Sequence, residues 1–169
     1  LAVVLIVVSL FAFGQNSSIK RKVLVEPFTT LKVSGVSDVT LIKGDDYLVV
    51  VNAPSRIQDA IKISVKGGVL TITYRNIKLR NHENLRFYVT APTLERLNVS
   101  GASDVTSEGA VFDGDNFKII ASGAADVNLN LDYKSVVANV SGAASVKLSG
   151  KTGVQRVNAS GAADYIAKD

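Results

Sequence analysis

Five copies of one six-residue phrase constrain this chain more than any other feature. Each runs Ser, Gly, two small residues, Asp or Ser, then an apolar or aromatic residue. The phrase reads SGVSDV from Ser34, SGASDV from Ser100, SGAADV from Ser122, SGAASV from Ser141 and SGAADY from Ser160. Its glycines, Gly35, Gly101, Gly123, Gly142 and Gly161, are spaced by 66, 22, 19 and 19 residues, and 66 is three times 22. A period near 20 residues predicts stacked coils, each burying its apolar side on the next.

Alignment on the glycine separates inward from outward positions. Four residues before it stand Leu31, Leu97, Ile119, Ala138 and Val157. Two before it stand Val33, Val99, Ala121, Val140 and Ala159, and four after it Val39, Val105, Val127, Val146 and Tyr165. The column between, Lys32, Asn98, Ile120, Asn139 and Asn158, is mostly polar. Alternation with a period of two is the mark of half-buried strands, so the apolar columns point inward. Fully burying a Val or Leu is worth roughly 1.5–3 kcal/mol. One coil alone has no core in which to bury it.

The phrase itself reads as a structural corner built on Ser34, Gly35, Ser100, Gly101, Ser122, Gly123, Ser141, Gly142, Ser160 and Gly161. Glycine permits dihedrals closed to other residues, and serine is expected to bond its local backbone at the bend. The residues that follow are small because successive corners stack at roughly 4.8 Å.

Elsewhere the period is also two. Tyr47–Asn52 is strongly β-prone, Ile61–Val65 and Val69–Tyr74 flank a Gly67-Gly68 hairpin turn, and Leu85–Thr90 reads as a further strand. Arg56–Ala60 allows one helical turn, and Asn76–Asn84 is polar enough for a loop. The fold class expected is all-β: a parallel β-helix-like solenoid with coils of about 19–22 residues, preceded by strands and hairpins. Residues 1–14, LAVVLIVVSLFAFG, are uncharged, short for a membrane span of about 20 residues, and fit the apolar core of a truncated signal peptide cleaved before Gln15. Residues 15–22, with Lys20-Arg21-Lys22, read as a solvated N-terminal arm. Residues 23–169 then form one solenoid domain.

The absence of Cys excludes disulfides and thiolate metal sites, and a lone His82 leaves little for zinc or a histidine-based triad. The net charge of +4 comes without Lys/Arg blocks interleaved with aromatics, which argues against nucleic acid as a partner.

The SGA(A/S)DV corners, with FTTLKVSGVSDVTLIKG, GGVLTI and VTAPTLERLNVSGASDV around them, resemble the putative auto-transporter adhesin, head GIN domain family. The resemblance covers about Val23 to Asp169. It implies a secreted bacterial protein of Bacteroidetes type folded as a parallel β-helix-like solenoid, with no catalytic or ligand residues to carry over. It also implies further coils beyond the fifth copy, so the last rung is expected to be an open edge inviting self-association.

Chemistry has one candidate in the repeat, the column Asp38, Asp104, Asp126, Ser145 and Asp164. Stacked carboxylates about 5 Å apart repel by around 1 kcal/mol in water. Either a cation such as Ca²⁺ bridges the ladder Asp104, Asp126 and Asp164, or each Asp is solvated and bonded to its own corner. One Asp per turn, interrupted by Ser145, favours the second, so no cofactor and no metal are expected. Glu95, Glu108, Asp113, Asp115 and Asp132 show no paired spacing for acid–base catalysis. Tyr47, Tyr74, Phe87, Tyr88 and Tyr133 are better read as core than as contact residues. The function expected is a secreted, non-enzymatic adhesive or structural protein of the cell envelope, in the periplasm or at the surface, meeting a surface glycan or envelope protein. The alternative, of another class, is an envelope scaffold or sensor binding another protein.

Overall fold

The computed structural model describes residues 6–7, 18–74 and 85–168. Within them the chain is all-β apart from a 3₁₀ segment at Ser55–Ala60, where the sequence allows one short helical turn. Fourteen strands belong to one hydrogen-bonded sheet. In chain order they are β1 (Ile6–Val7), β2 (Ser18–Leu24), β3 (Thr30–Gly35), β4 (Asp38–Lys43), β5 (Leu48–Pro54), β6 (Ile61–Lys66) and β7 (Val69–Tyr74). They continue as β8 (Arg86–Ala91), β9 (Arg96–Gly101), β10 (Asp104–Glu108), β11 (Phe112–Gly123), β12 (Asp126–Gly142), β13 (Ser145–Gly161) and β14 (Asp164–Lys168).

The sheet has two arms joined through the long strands β12 and β13. One arm holds the segments before each corner, in the order β6-β7-β3-β9-β11-β12-β13. The other holds the segments after it, in the order β2-β5-β8-β4-β10-β12-β13-β14. From β7 and β8 onward every neighbouring pair is parallel, while β2, β5 and β6 add antiparallel strands at one end. Partners stand 22 residues apart between β9 and β11 and 19 apart between β11, β12 and β13, so each pairing follows the repeat.

The predicted columns are real register columns. Leu31, Leu97, Ile119, Ala138 and Val157 are successive partners, as are Val39, Val105, Val127, Val146 and Tyr165. All but the last member of each is buried in one continuous hydrophobic core, which Phe28, Phe87, Phe112 and Phe117 also fill. Alternation explains this economically: from β3 to the first half of β13 the strands bury largely alternate residues, and both arms turn that set inward.

Two readings change. The 66-residue interval between Gly35 and Gly101 is one step of the ladder rather than three, because β3 pairs directly with β9. The intervening chain makes β7 and β8, which pair with β3 and β4 on their other side, and the antiparallel β5 and β6 close that end. Residues 18–22 are likewise not a solvated arm. Ser18–Leu24 pairs antiparallel with β5, because Ile19, Arg21 and Val23 alternate toward the sheet while Lys20 and Lys22 face water. Arg21 donates to the Ile61 carbonyl oxygen at 3.4 Å.

Of the apolar segment 1–14 only Ile6–Val7 is described, as a strand antiparallel to β2; the rest of the expected signal peptide lies outside the described residues. So do His82 and the predicted loop of residues 76–84.

Candidate functional site

The corner phrases form the most regular surface of the molecule. At each one the glycine has positive φ, 84° at Gly123 and 80° at Gly142. A Cβ on Gly123 would stand 2.6 Å from the Gly101 carbonyl oxygen, so both the dihedral and the approach of the next rung require glycine. The following amide donates to that same oxygen: Ala124 N–H to Gly101 O at 2.8 Å, Ala143 N–H to Gly123 O at 2.8 Å. Two residues on, the inward small residues Ser37, Ser103, Ala125 and Ala144 are buried.

Serine works differently from the expectation. The corner serine Ser100 donates to Val33 O of the adjacent strand at 3.5 Å, and the buried Ser103 to Gly35 O at 3.1 Å. Among the described residues no corner serine bonds its own bend. The corners are held by bonds between rungs, since a parallel neighbour places a carbonyl within reach of each group.

Asp38, Asp104, Asp126, Ser145 and Asp164 are register partners in that order, with Arg86 beyond Asp38. The four aspartates are exposed. Arg86 pairs with Asp38 at 3.4 Å, and among the described residues no Asp side chain bonds its own corner. Partial burial, and after it the charges of Asp126 and Asp38, raise the Asp104 carboxyl above its ordinary range. A shallow groove of about 260 Å³ runs beside Asp104 and Asp126, bounded by Thr106, Asn128, Ser145 and Lys147. Among the described residues no three carboxylate or histidine side chains are grouped to hold a metal ion.

A second groove, of about 610 Å³, was not visible in the sequence. Glu95, just before β9, and Asp113 and Asp115 of β11 line it with Arg96, Lys118 and Tyr133. Asp113 pairs with Lys43, and Asp115 with Lys134 at 2.7 Å. The hydrogen bond and charge of Lys134 hold Asp115 below the ordinary carboxylate range, the reverse of what a general acid needs. Glu108 and Asp132 do not reach this groove. Tyr133 is buried and donates to the Leu94 carbonyl oxygen; burial pushes its phenol up to about 12, against that hydrogen bond and with the help of Glu95. Phe87 is buried and Tyr47 and Tyr74 pack on the core, which leaves Tyr88 the more peripheral.

Solved structures share this fold. A putative adhesin from Bacteroides fragilis superposes with a TM-score of 0.61 at 17% identity, over 90% of this chain and 97% of that one. A putative cell adhesion protein from Clostridium sporogenes gives 0.58 at 12% identity, over 90% and 99%. A putative adhesin from Parabacteroides distasonis gives 0.55 at 16%, over 90% and 98%. Likeness at such identities shows the fold. No curated protein matches the sequence. The model of one family matches residues 27–169, a span that holds all five corner phrases and both grooves. The chain belongs to the family described as putative auto-transporter adhesin, head GIN domain.

Proposed function

We propose that this chain is an exported, non-enzymatic adhesive or structural module of the cell envelope, built as a β-solenoid. The observation that carries the reading is the in-register parallel ladder, which repeats one outward pattern rung after rung over an otherwise uninterrupted core. Such a surface suits an extended partner, because rungs about 4.8 Å apart repeat the corner serines and, but for Ser145, the outward aspartates. The family description and the neighbours' names, putative adhesin and putative cell adhesion protein, support the same reading. So does the signal-like start of the sequence. No helix among the described residues is long and apolar enough to cross a membrane, which leaves strands out of account. Pairing with Lys134 makes Asp115 in the larger groove a poor general acid.

The test is retention of labelled protein on envelope fragments, alongside incubation with a glycan panel. Saturable retention with every glycan intact is expected. Cleavage products from any panel member overturn the non-enzymatic reading, and no retention overturns the adhesive one.

A further inference from the structure

The two arms of the sheet differ in outward charge: the columns of one carry cations alone, and the other carries both signs. Along β6-β7-β3-β9-β11-β12-β13 the outward side chains form three columns set by the register. The first is Lys66, Val69, Thr30, Arg96, Lys118, Val137 and Arg156. The second is Ser64, Thr71, Lys32, Asn98, Ile120, Asn139 and Asn158. Lys62, Thr73 and the corner serines make the third. Six cations stand in these columns, Lys32, Lys62, Lys66, Arg96, Lys118 and Arg156, and no carboxylate does. None of the six forms an ion pair among the described residues. The carboxylates Asp38, Asp104, Asp126, Asp164 and Glu108 all lie on the outward side of the other arm, matched there in number by Lys20, Lys22, Arg86, Lys147 and Lys168.

We infer that the arm before the corners docks a linear anionic polysaccharide, carboxylated or sulfated, laid along the stacking direction. This rests on the adhesive reading above and names its ligand class. Seven rungs at about 4.8 Å give a tract roughly 29 Å long, with cations on five of them. Unpaired cations gathered on one face attract a polyanion and raise its local concentration. Between them the surface supplies amides and hydroxyls suited to sugar hydroxyl groups. Asn158 already donates to Asn139 at 2.8 Å, so the last two rungs of that column present a stacked amide pair. The larger groove adjoins the first column, whose Thr30, Arg96, Lys118 and Val137 line it; Glu95 lines it too, and Asp113 and Asp115 are taken up by Lys43 and Lys134. Nucleic acid fits less well. These columns hold no aromatic ring for bases to stack on, and strands lying flat in a sheet offer no element to enter a duplex groove.

Two variants of equal net charge test the proposal on the full chain. Lys32→Glu with Arg96→Glu reverses two exposed cations of the proposed face, and Lys147→Glu with Lys168→Glu reverses two on the other. Circular dichroism and melting curves confirm that both fold. Binding is measured to polygalacturonate, heparin, neutral dextran and double-stranded DNA at several salt concentrations. The expected result is salt-sensitive binding to one or both anionic glycans, weakened about tenfold by the first variant and less than twofold by the second. Equal weakening by both variants would reduce the effect to net charge and overturn the proposal. So would equal binding to dextran, tighter binding to DNA, or no glycan binding. If envelope retention persists unchanged in the first variant, the glycan face is wrong while the adhesive reading stands.

Discussion

The Tyr74 hydroxyl donates to the Val36 carbonyl oxygen at 2.5 Å and accepts from the Val36 amide. Its ring lies over Gly35, where a preceding corner would otherwise stack. Tyr74 thus closes the corner column at the end where β7 carries no SGxx phrase. Tyr74→Phe keeps the packing and removes both bonds, from a backbone that water can reach. The expected loss is about 1 kcal/mol, read as a lower urea midpoint with an unchanged slope.

Replacing a corner glycine is expected to be far more damaging than replacing a hairpin glycine. Gly123 combines φ of 84° with backbone 2.6 Å from any Cβ, whereas Gly67 has φ of 56° and open space around it. Gly67→Ala carries only the left-handed penalty, about 1 kcal/mol, while Gly123→Ala adds a clash that only rung separation relieves, about 3 kcal/mol in all. Parallel urea titrations of the two variants check the difference.

The aspartate column stores mild repulsion. Because the folded state raises the Asp104 carboxyl, stability from this group is present below its unfolded pKa and falls as pH rises through the folded value. Asp104→Asn is therefore expected to stabilise the protein at pH 7, by about 0.5 kcal/mol after solvent screening. The advantage disappears near pH 3, where the wild-type carboxyl is protonated in both states. Melting temperatures of the pair at the two pH values measure it.

Tyr133 governs the alkaline side. Burial pushes its phenol up to about 12 in the folded protein, from an ordinary value of 10.0 in the unfolded chain, so the folded state holds the proton longer. Its contribution is complete below pH 10 and is lost as pH rises toward 12. Tyr133→Phe is expected to be less stable at pH 8, through loss of the bond to Leu94, and to show a shallower decline between pH 10 and 12. Urea midpoints across that range give both quantities.

Local physics made the corners and columns readable in advance. Gly123 and Gly142 announce their dihedral, and Val99, Ala121 and Val140 announce their side of the strand by alternation. The order of the rungs is a different kind of information. Nothing in the phrase reveals that β7 and β8 slip beneath β3 and β4, because the chain there replaces the corner with Tyr74 and carries no repeat to count. The pairing of β2 was masked by Lys20 and Lys22, whose charges suggest solvent although Ile19 and Val23 keep the strand period. The groove around Glu95, Asp113 and Asp115 depends on which segments become neighbouring rungs, and Glu95 precedes them by about 20 residues in sequence. The charge-segregated face becomes visible only when Lys66, Arg96 and Lys118 are placed in one column.

That column order is the foundation of the whole account, and one distance tests it. The chain has no cysteine, so spin labels attach only at Lys32→Cys and Asn158→Cys, both outward and exposed. With β3 paired directly to β9, four rungs separate these sites, and a backbone separation of about 19 Å is expected. If the interval between Gly35 and Gly101 instead held three stacked coils in sequence order, six rungs would intervene. A distance near 29 Å would then be found, and it would contradict the register on which both the adhesive surface and its cationic face depend.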